Sequence, residues 1–540
     1  MSQSAASVRD DFQAFLLRMA ETFEPYTFLR NQEAELRQLS ASLSKPFTLA
    51  VFGRMKTGKS SLINALVGKP LAITGVEEAT ATLNWISYGT AAQADTVLVH
   101  WKDGRVEPIA FERLMDWSGK AADVLERVSQ TAYLQLFADA ERLKEVQIVD
   151  TPGTGSVADE HEEVAQQFLS PRAGMDSEEE GKRADALLYV FPPVARERDE
   201  DSLIEFRKTR LPGSDPYNSI GVLHKWDGLE SDDIAAEAAR KAERLRASLS
   251  DVVCAVIPVS APLAMVARAA PPAFLESLLD HTTSLGSLEE LRKALRRDSR
   301  WDEDAGRKST RQLYPLPWVS FVRLVNLLME RSIGSVTDAR VASLEASGIE
   351  RLEAELDRRF YRRAAIIKQR LTRVKATGPV RSGLMLLSRR ISEIQADHVH
   401  FKELASVSAA MPRHEQWLQD KTSITRLESE ELDAYAIAAD REWLVEKERM
   451  DLMEQDLIFL EKMDKSPGFV EARDYETIHN LLAFSTSRKD DDRVSIEVLR
   501  ALLGRYQHFI NSPTKQTRDH FEHLIRRIQD DIQARTSPPA

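Results

Sequence analysis

Apolar residues recur every three or four positions near the start of the chain, at Phe12, Phe15, Leu16, Met19 and Phe23, and again after Pro25 at Leu36, Leu39 and Leu43. The spacing predicts helix, break, helix over residues 1–45, each helix packing one face on a distant part of the chain. From Pro46 the period changes. Phe47 to Phe52 is a short apolar run, Gly53 to Ser60 a polar turn, and Ser61 to Leu66 the opening of a helix, which predicts a strand, a loop and a helix in that order. Further strands are predicted at Leu83–Tyr88, Thr96–Trp101, Val146–Asp150, Ala184–Phe191, Ile220–His224 and Val252–Val259. Most alternate with helical stretches, which predicts an α/β fold with a mostly parallel sheet and helices on both faces.

Residues 262–343 show no clear strand, carry Pro271-Pro272 and a polar stretch from Arg296 to Arg311, and are expected to form a helical insertion. Gly348-Ile349 then opens a helix with Ile349, Leu352, Leu356 and Phe360 on one face, predicted to be the last one packed on the sheet. The first domain is therefore expected to span 46–363. Beyond Gly378-Pro379 the pattern is almost wholly helical: Leu384, Leu387, Ile391 and Ile394, then Trp443, Met450, Leu457 and Leu460, then Phe521, Leu524, Ile528 and Ile532. Residues 488–493 and 511–513 read as connections between long amphipathic helices, and 537–540 as a loose end.

At 540 residues the chain exceeds what one hydrophobic core usually serves. With 43% hydrophobic and 29% charged residues it reads as globular, and its single cysteine, Cys254, excludes an internal disulfide framework and a cysteine-based zinc cluster. That cysteine usage fits a reducing cytosol. The segment from Met1 to Asp11 has no basic start followed by an apolar core, and no run of about 18 apolar residues occurs, so a cytoplasmic location is expected. A net charge of -12 disfavours a nucleic-acid partner.

Gly53-Arg54-Met55-Lys56-Thr57-Gly58-Lys59-Ser60, followed by Ser61, satisfies the phosphate-loop pattern G-x-x-x-x-G-K-[ST] between a predicted strand and a predicted helix. Glycines at both ends let backbone N–H groups turn toward phosphate oxygens. The helix N-terminus adds positive potential, Lys59 reaches the β and γ phosphates, and the Ser60 hydroxyl ligates magnesium. Val146 to Gly153 is an apolar strand ending Asp150-Thr151-Pro152-Gly153. Asp150 is placed to hold magnesium through water, and the Gly153 N–H to meet a γ phosphate and swing away after hydrolysis. His224-Lys225-Trp226-Asp227 ends another strand and matches Asn/Thr-Lys-x-Asp except in its first residue. Guanine offers N1–H and its 2-amino group as paired donors, which the Asp227 carboxylate can accept together, whereas adenine has no such pair. The implied ligands are GTP and GDP. Lys225 lies along the purine in this reading, Trp226 packs, and the Ser260-Ala261 backbone meets the guanine oxygen. The loop 75–82 should hold the threonine that closes on magnesium; Thr80 is favoured over Thr82, with the choice set by the register of the following strand.

The order Gly-Arg-Met-Lys-Thr-Gly-Lys-Ser-Ser, Thr-Ala-Thr-Leu-Asn-Trp-Ile-Ser-Tyr-Gly, Asp-Thr-Pro-Gly and His-Lys-Trp-Asp resembles the GTPase domain of bacterial dynamin-like proteins, over about residues 46–261. Within that family it most resembles the smaller soluble group that includes the enterotoxin-output dynamin-like GTPase. The resemblance implies a bundle or stalk made from residues 1–45 and 364–540. It also implies GTP-driven self-association of GTPase domains across the nucleotide face, and movement of the stalk on hydrolysis. A second dynamin-like protein and an anionic membrane, bound peripherally, become candidate partners, and membrane or vesicle remodelling a candidate process. Two residues depart from the family pattern. Met55 stands where dynamins commonly place a polar residue that positions the attacking water, and a thioether neither donates nor accepts usefully, so slow hydrolysis is expected. Lys56 beside it is a candidate catalytic cation for developing phosphate charge. The other departure is His224, which removes the usual amide or hydroxyl from the base loop.

Two readings stay open: a GTP-hydrolysing mechanoenzyme that remodels membrane, and a GTP-controlled interaction protein whose slow or partner-stimulated turnover times binding. No convincing apolar tip for lipid is visible. Leu384-Met385-Leu386-Leu387 reads as bundle core. Arg358 to Lys375 carries eight basic residues and no acidic one, a candidate surface for anionic lipid or an acidic partner, or a solvated face joining two domains.

Overall fold

The structure is a computed structural model, and it describes residues 5–53, 57–72, 82–90, 93–118, 121–151, 184–192, 217–228, 233–284, 288–407, 412–466, 468–483, 494–512 and 514–536. Of the residues singled out above, Arg54, Met55, Lys56, Thr80 and Gly153, the connection at 488–493, Pro513 and the end at 537–540 lie outside these. The described residues form two compact units, one of 46–361 and one combining 5–45 with 362–536.

The chain opens with α1 (Ala5–Phe23) and α2 (Arg30–Leu43), the helix, break and helix that the periodicity predicts. Both belong to the second unit. The first unit is built on a sheet in which nine strands are described: β1 (Phe47–Phe52), β2 (Asn84–Tyr88), β3 (Thr96–Trp101), β4 (Val106–Ala110), β5 (Thr131–Ala138), β6 (Val146–Asp150), β7 (Ala186–Phe191), β8 (Ser219–His224) and β9 (Val256–Val259). Their spatial order is β4-β3-β5-β2-β6-β1-β7-β8-β9. From β6 to β9 all neighbours run parallel, as do β2 and β5, while β2–β6, β3–β5 and β3–β4 are antiparallel. The fold is the expected mixed, mostly parallel α/β sheet with long helices elsewhere in the chain. β1 and β8 are buried at every residue, and successive side chains point to opposite faces, so both faces of the sheet centre are covered.

Two strands, β4 and β5, do not follow from the sequence pattern. β4 contains Pro108 and buries only Ile109, which suits the sheet edge where a missing N–H costs no ladder bond. The strand expected at Val252–Val259 begins only at Val256; the residues before it turn, and the Cys254 N–H and thiol both meet the Ser219 carbonyl, at 3.0 and 3.3 Å.

On the sheet lie α3 (Lys59–Val67) and α5 (Ile234–Ser248), the latter burying Ala238 and Ala242 against Phe52, Tyr189 and Leu223, while α4 (Ala122–Gln130) buries none of its residues. The expected insertion is helical in every described secondary-structure element. It comprises α6 (Ala261–Ala269), α7 (Pro272–Ser284), α8 (Leu288–Ala294), α9 (Asp298–Trp301), α10 (Ala305–Leu313), α11 (Trp318–Glu330) and α12 (Val336–Ser347) around a core of Phe274, Leu278, Trp301, Phe321 and Leu324. α13 (Ile349–Arg359) follows with Ile349, Leu352 and Leu356 buried, and Phe360 after them.

The second unit adds α14 (Ala364–Val407), α15 (Pro412–Lys465), α16 (Tyr475–Leu482), α17 (Ile496–Tyr506) and α18 (Lys515–Thr536). Contacts pair 363 with 464, 370 with 454, 373 with 446 and 398 with 422, a reversed order that makes α14 and α15 antiparallel arms. One core joins Phe12, Phe15, Phe23 and Leu36 to Val380, Leu387, Ile391 and Trp443; another joins Phe459 and Leu460 to Ile478, Leu502, Phe521 and Ile528. Leu387 is in that first core with Leu384 and Leu386 packed against it, as expected, while Met385 is exposed.

Three features differ from the pattern. α14 runs unbroken through Pro379, because burial of Ala376 and Val380 on either side outweighs the missing hydrogen bond. The basic run 358–375 is not a solvated face: Arg358 and Arg359 pair with Glu355, Arg362 with Glu476, Arg363 with Asp464, Arg370 with Glu454 and Arg373 with Glu446, and Lys368 donates to the Lys45 carbonyl. Apolar side chains are also exposed toward the end of α14 and the start of α15. Val399 and Leu404 lie on α14 and Trp417, Ile424 and Leu427 on α15, with Phe401 edge-on to Trp417 across the arms.

Candidate nucleotide site

The phosphate loop leaves the carboxyl end of β1, where the parallel neighbours β6 and β7 put Asp150 and Leu188 level with Val51. Crevices at the carboxyl ends of parallel strands are where open α/β sheets bind ligands. Gly53 is required by space: a Cβ there would lie 2.7 Å from the Val190 carbonyl oxygen. Gly58 is required twice over, by a φ of +96° and because a Cβ would meet the His224 ring at 2.4 Å. Gly58 caps α3, whose first residues are Lys59 and Ser60.

The Lys59 ammonium donates to the Gly53 carbonyl at 3.2 Å, folding back over its own loop. Burial holds its pKa below the ordinary lysine value, with the Asp150 carboxylate working the other way. The Ser60 hydroxyl donates to Asp150 Oδ2 at 2.9 Å, so residues 90 positions apart meet at one point. Thr57 and Thr151 are buried, and the Thr151 hydroxyl donates to the Val51 carbonyl at 2.8 Å, tying the β6 end to β1. A hydroxyl and a carboxylate so placed are hard oxygen donors of the kind magnesium takes, so the residues present fit that ion.

Two residues that sequence reasoning missed hold α3 in place. Asn64 accepts from the Leu71 and Ala72 N–H groups at 2.9 and 2.7 Å and donates to the Ala72 carbonyl at 2.9 Å, pinning the chain as it leaves α3. Arg268 on α6 donates to the Ala65 carbonyl and forks onto both Glu353 oxygens at 2.9 Å. An Asn inside a helix next to a phosphate loop was a readable hint; Arg268, about two hundred positions away, gave none. Thr82 is buried, and its hydroxyl meets Asn84 Oδ1 at 3.2 Å.

At the β8 end, Lys225 is exposed with a φ of 60°, a left-handed conformation that non-glycine residues rarely adopt. Trp226 is packed in the core, as expected, and Asp227 is buried, its Oδ2 accepting from Ser320 on α11. His224 replaces the absent amide with a different link. Its Nδ1–H must donate to the Thr57 carbonyl at 2.9 Å, and its Nε2 accepts from the Ala261 N–H at 3.4 Å. The ring is therefore neutral and ties the phosphate loop to the start of α6. Burial first, and Lys225 second, push its pKa down to about 4, against the opposing effect of the Thr57 bond. The Ser260 N–H donates to the Ser347 carbonyl at 2.8 Å, so both amides assigned to guanine are engaged within the chain.

Fold and site together define a phosphate-loop nucleotide-binding domain. Residues 49–175 match the Dynamin family. The chain is 28% identical over 391 residues to the isoniazid-induced protein IniC of Mycobacterium tuberculosis (strain ATCC 25618 / H37Rv), covering 69% of this chain and 76% of that one. It is 32% identical over 121 residues to dynamin-like protein 2 of Campylobacter jejuni subsp. jejuni serotype O:23/36 (strain 81-176), covering 22% and 19%. Two solved structures of an oligomerised bacterial dynamin pair, described as a mechanism for long-range sensing and tethering of membranes, overlay 93% and 97% of this chain and 86% and 91% of theirs. Identities are 15% and 16% and TM-scores 0.29 and 0.32, too loose an overlay to bear on the arrangement of domains. Over residues 49–175 the chain is thus similar to the Dynamin family.

Proposed function

We propose that the protein binds GTP with magnesium and hydrolyses it to GDP and phosphate, and that nucleotide occupancy governs GTPase-domain pairing and movement of the helical unit. The observation that carries this reading is the meeting of Ser60 and Asp150 at 2.9 Å beside the buried Lys59, at the end of a central parallel strand. In the reaction the amides of residues 53–61 cradle the phosphates, and the Lys59 ammonium leaves the Gly53 carbonyl for the β and γ oxygens. Ser60, Asp150 and Thr80 hold the magnesium ion, which when bound neutralises charge on the β and γ phosphates. Gly153 reports the γ phosphate, and Lys56 supplies a further cation. Lys225 and Asp227 read the base, and Ala261 exchanges its long contact with His224 for the guanine oxygen, beside Ser260.

Pairing with a second copy or a second dynamin-like protein, and membership of the group containing the enterotoxin-output dynamin-like GTPase, rest on the motif order. Peripheral contact with an anionic membrane is proposed through the exposed residues toward the start of α15, Trp417, Ile424 and Leu427, because the 358–375 charges are used inside their own units. The second reading, a GTP-controlled interaction protein with slow or partner-stimulated turnover and no membrane activity, is favoured by Met55, which cannot orient water.

Calorimetry with GTP, GDP and ATP tests the nucleotide assignment. The expected result is binding of both guanine nucleotides with little binding of ATP, and a loss of roughly tenfold or more for GTP in Asp227→Asn. ATP bound as tightly as GTP would overturn it.

A further inference from the structure

The helical insertion 262–343 reaches the base-reading residue directly. Ser320 is the third residue of α11 and is buried, and its hydroxyl donates to Asp227 Oδ2 at 2.5 Å across 93 positions of sequence. Asp227 Oδ1 is buried and has no hydrogen-bond partner among the described residues. The hydroxyl of Ser260, the serine that sequence assigns to the base site, is likewise buried without a partner. The carboxylate is thus gripped at one oxygen, by a helix outside the nucleotide motifs, while its other oxygen is buried without a partner among the described residues.

We propose that Ser320 is a specificity-determining positioning residue: by holding one oxygen of Asp227 it sets the plane of the carboxylate so that both donors of guanine are met at once. This rests on the GTP reading above. A lone carboxylate rotates about its last side-chain bond, a soft twofold torsion, and two-point recognition of N1–H and the 2-amino group needs that torsion held. Ser320 is suited to hold it because α11 is packed into the core of the insertion. The neighbouring Phe321 is buried edge-on to Trp301 at 5.0 Å and stacked on Trp318 at 5.6 Å, with Leu324, Val325 and Leu328 buried below it. The carboxylate also lies by the first turn of α11, whose end favours negative charge. Oδ2 keeps a second lone pair for the base while Oδ1 offers its own, so the serine bond does not exclude either guanine contact.

The test compares GTP with inosine triphosphate, which has N1–H but no 2-amino group, by calorimetry on the full chain and on Ser320→Ala. The full chain should prefer GTP over inosine triphosphate. In Ser320→Ala, GTP affinity should fall roughly tenfold while inosine triphosphate falls much less, so that the preference shrinks. Ser320→Thr, which keeps a hydroxyl, should restore the ratio. A purely structural serine predicts something else: a lower melting temperature with both nucleotides weakened equally, or neither, and either result overturns the proposal. If Ser320→Ala does not fold, Ser320→Cys, nearly the same shape with a weaker donor, carries the same comparison of ratios. The two levels of failure are distinct. A full chain that binds ATP as well as GTP removes the nucleotide reading, whereas a full chain selective for GTP with an unchanged ratio in the variants removes only the role of Ser320.

Discussion

His224 shows how a departure from a motif can conserve a connection while changing its chemistry. The first position of the base loop normally offers an amide or hydroxyl, and the sequence suggests that a histidine there loosens the loop. In the fold the ring spans from the Thr57 carbonyl to the Ala261 N–H, so the phosphate loop and the base loop are joined through one neutral side chain. Its proton affinity then becomes a stability term. The folded value near 4 lies below the ordinary 6.5, so the unfolded chain binds the extra proton between those limits. The stabilising effect is complete above about pH 6.5 and is lost progressively as the pH falls toward 4, amounting to roughly 3 kcal/mol in total. Chemical denaturation of the full chain and of His224→Asn over this range should show a shallower pH dependence in the variant. Equal slopes would remove the neutral bridge. The motif residues were legible because each motif is contiguous and sits at a strand end. This link was not, since its partners lie 167 and 37 positions away.

Among the helices, burial rather than propensity decides where the pattern and the fold part. Pro379 removes a backbone donor from the helix, yet α14 continues through it because Ala376, Val380 and Leu387 fill the core made with α1 and α2. Gly378 and Gly383, five positions apart on this helix, face opposite circumstances. Beyond its chain neighbours a Cβ on Gly378 meets nothing within 4 Å, whereas one on Gly383 would strike the Phe23 ring at 2.4 Å. Gly378→Ala is expected to be near neutral, because the gain from alanine's smaller loss of backbone freedom is offset by the clash of its Cβ with the ring of the following Pro379. Gly383→Ala is expected to destabilise the second unit by about 1–3 kcal/mol through overpacking. Urea unfolding of both variants checks the pair, and equal effects would contradict the packing of α1 on α14. The basic run 358–375 departs from its sequence pattern for a related reason. Counting charges shows their density and not their partners, and Arg373, fully buried against Glu446 with its guanidinium 3.9 Å over the Phe12 ring, is as internal as any leucine nearby. The exposed apolar residues of α14 and α15 leave no mark in the sequence pattern because they are scattered singly along two helices.

Over the whole molecule, each unit has its own cores and the nucleotide motifs all lie in one of them. The mechanoenzyme and the interaction-protein readings then make different demands on turnover. GTP hydrolysis per chain, measured against protein concentration with and without anionic vesicles, should rise steeply with concentration and rise further with vesicles if domain pairing completes the catalytic arrangement. A flat, very slow rate in both series would select the partner-controlled switch.

The phosphate-loop motif, the Asp150 and Asp227 carboxylates at their strand ends and the alternation of strands with helices are written in short runs of residues, and so could be read from the order of amino acids alone. Backbone turns, strand ends and helix starts are local, and their chemistry travels with them. What holds those motifs together could not be read that way. Ser320 on Asp227, His224 between Thr57 and Ala261, Arg268 on the end of α3 and the inward turn of the basic run all depend on which distant segments the packed core brings within hydrogen-bonding distance. A hydrogen bond needs that proximity, and only the path of the whole chain supplies it.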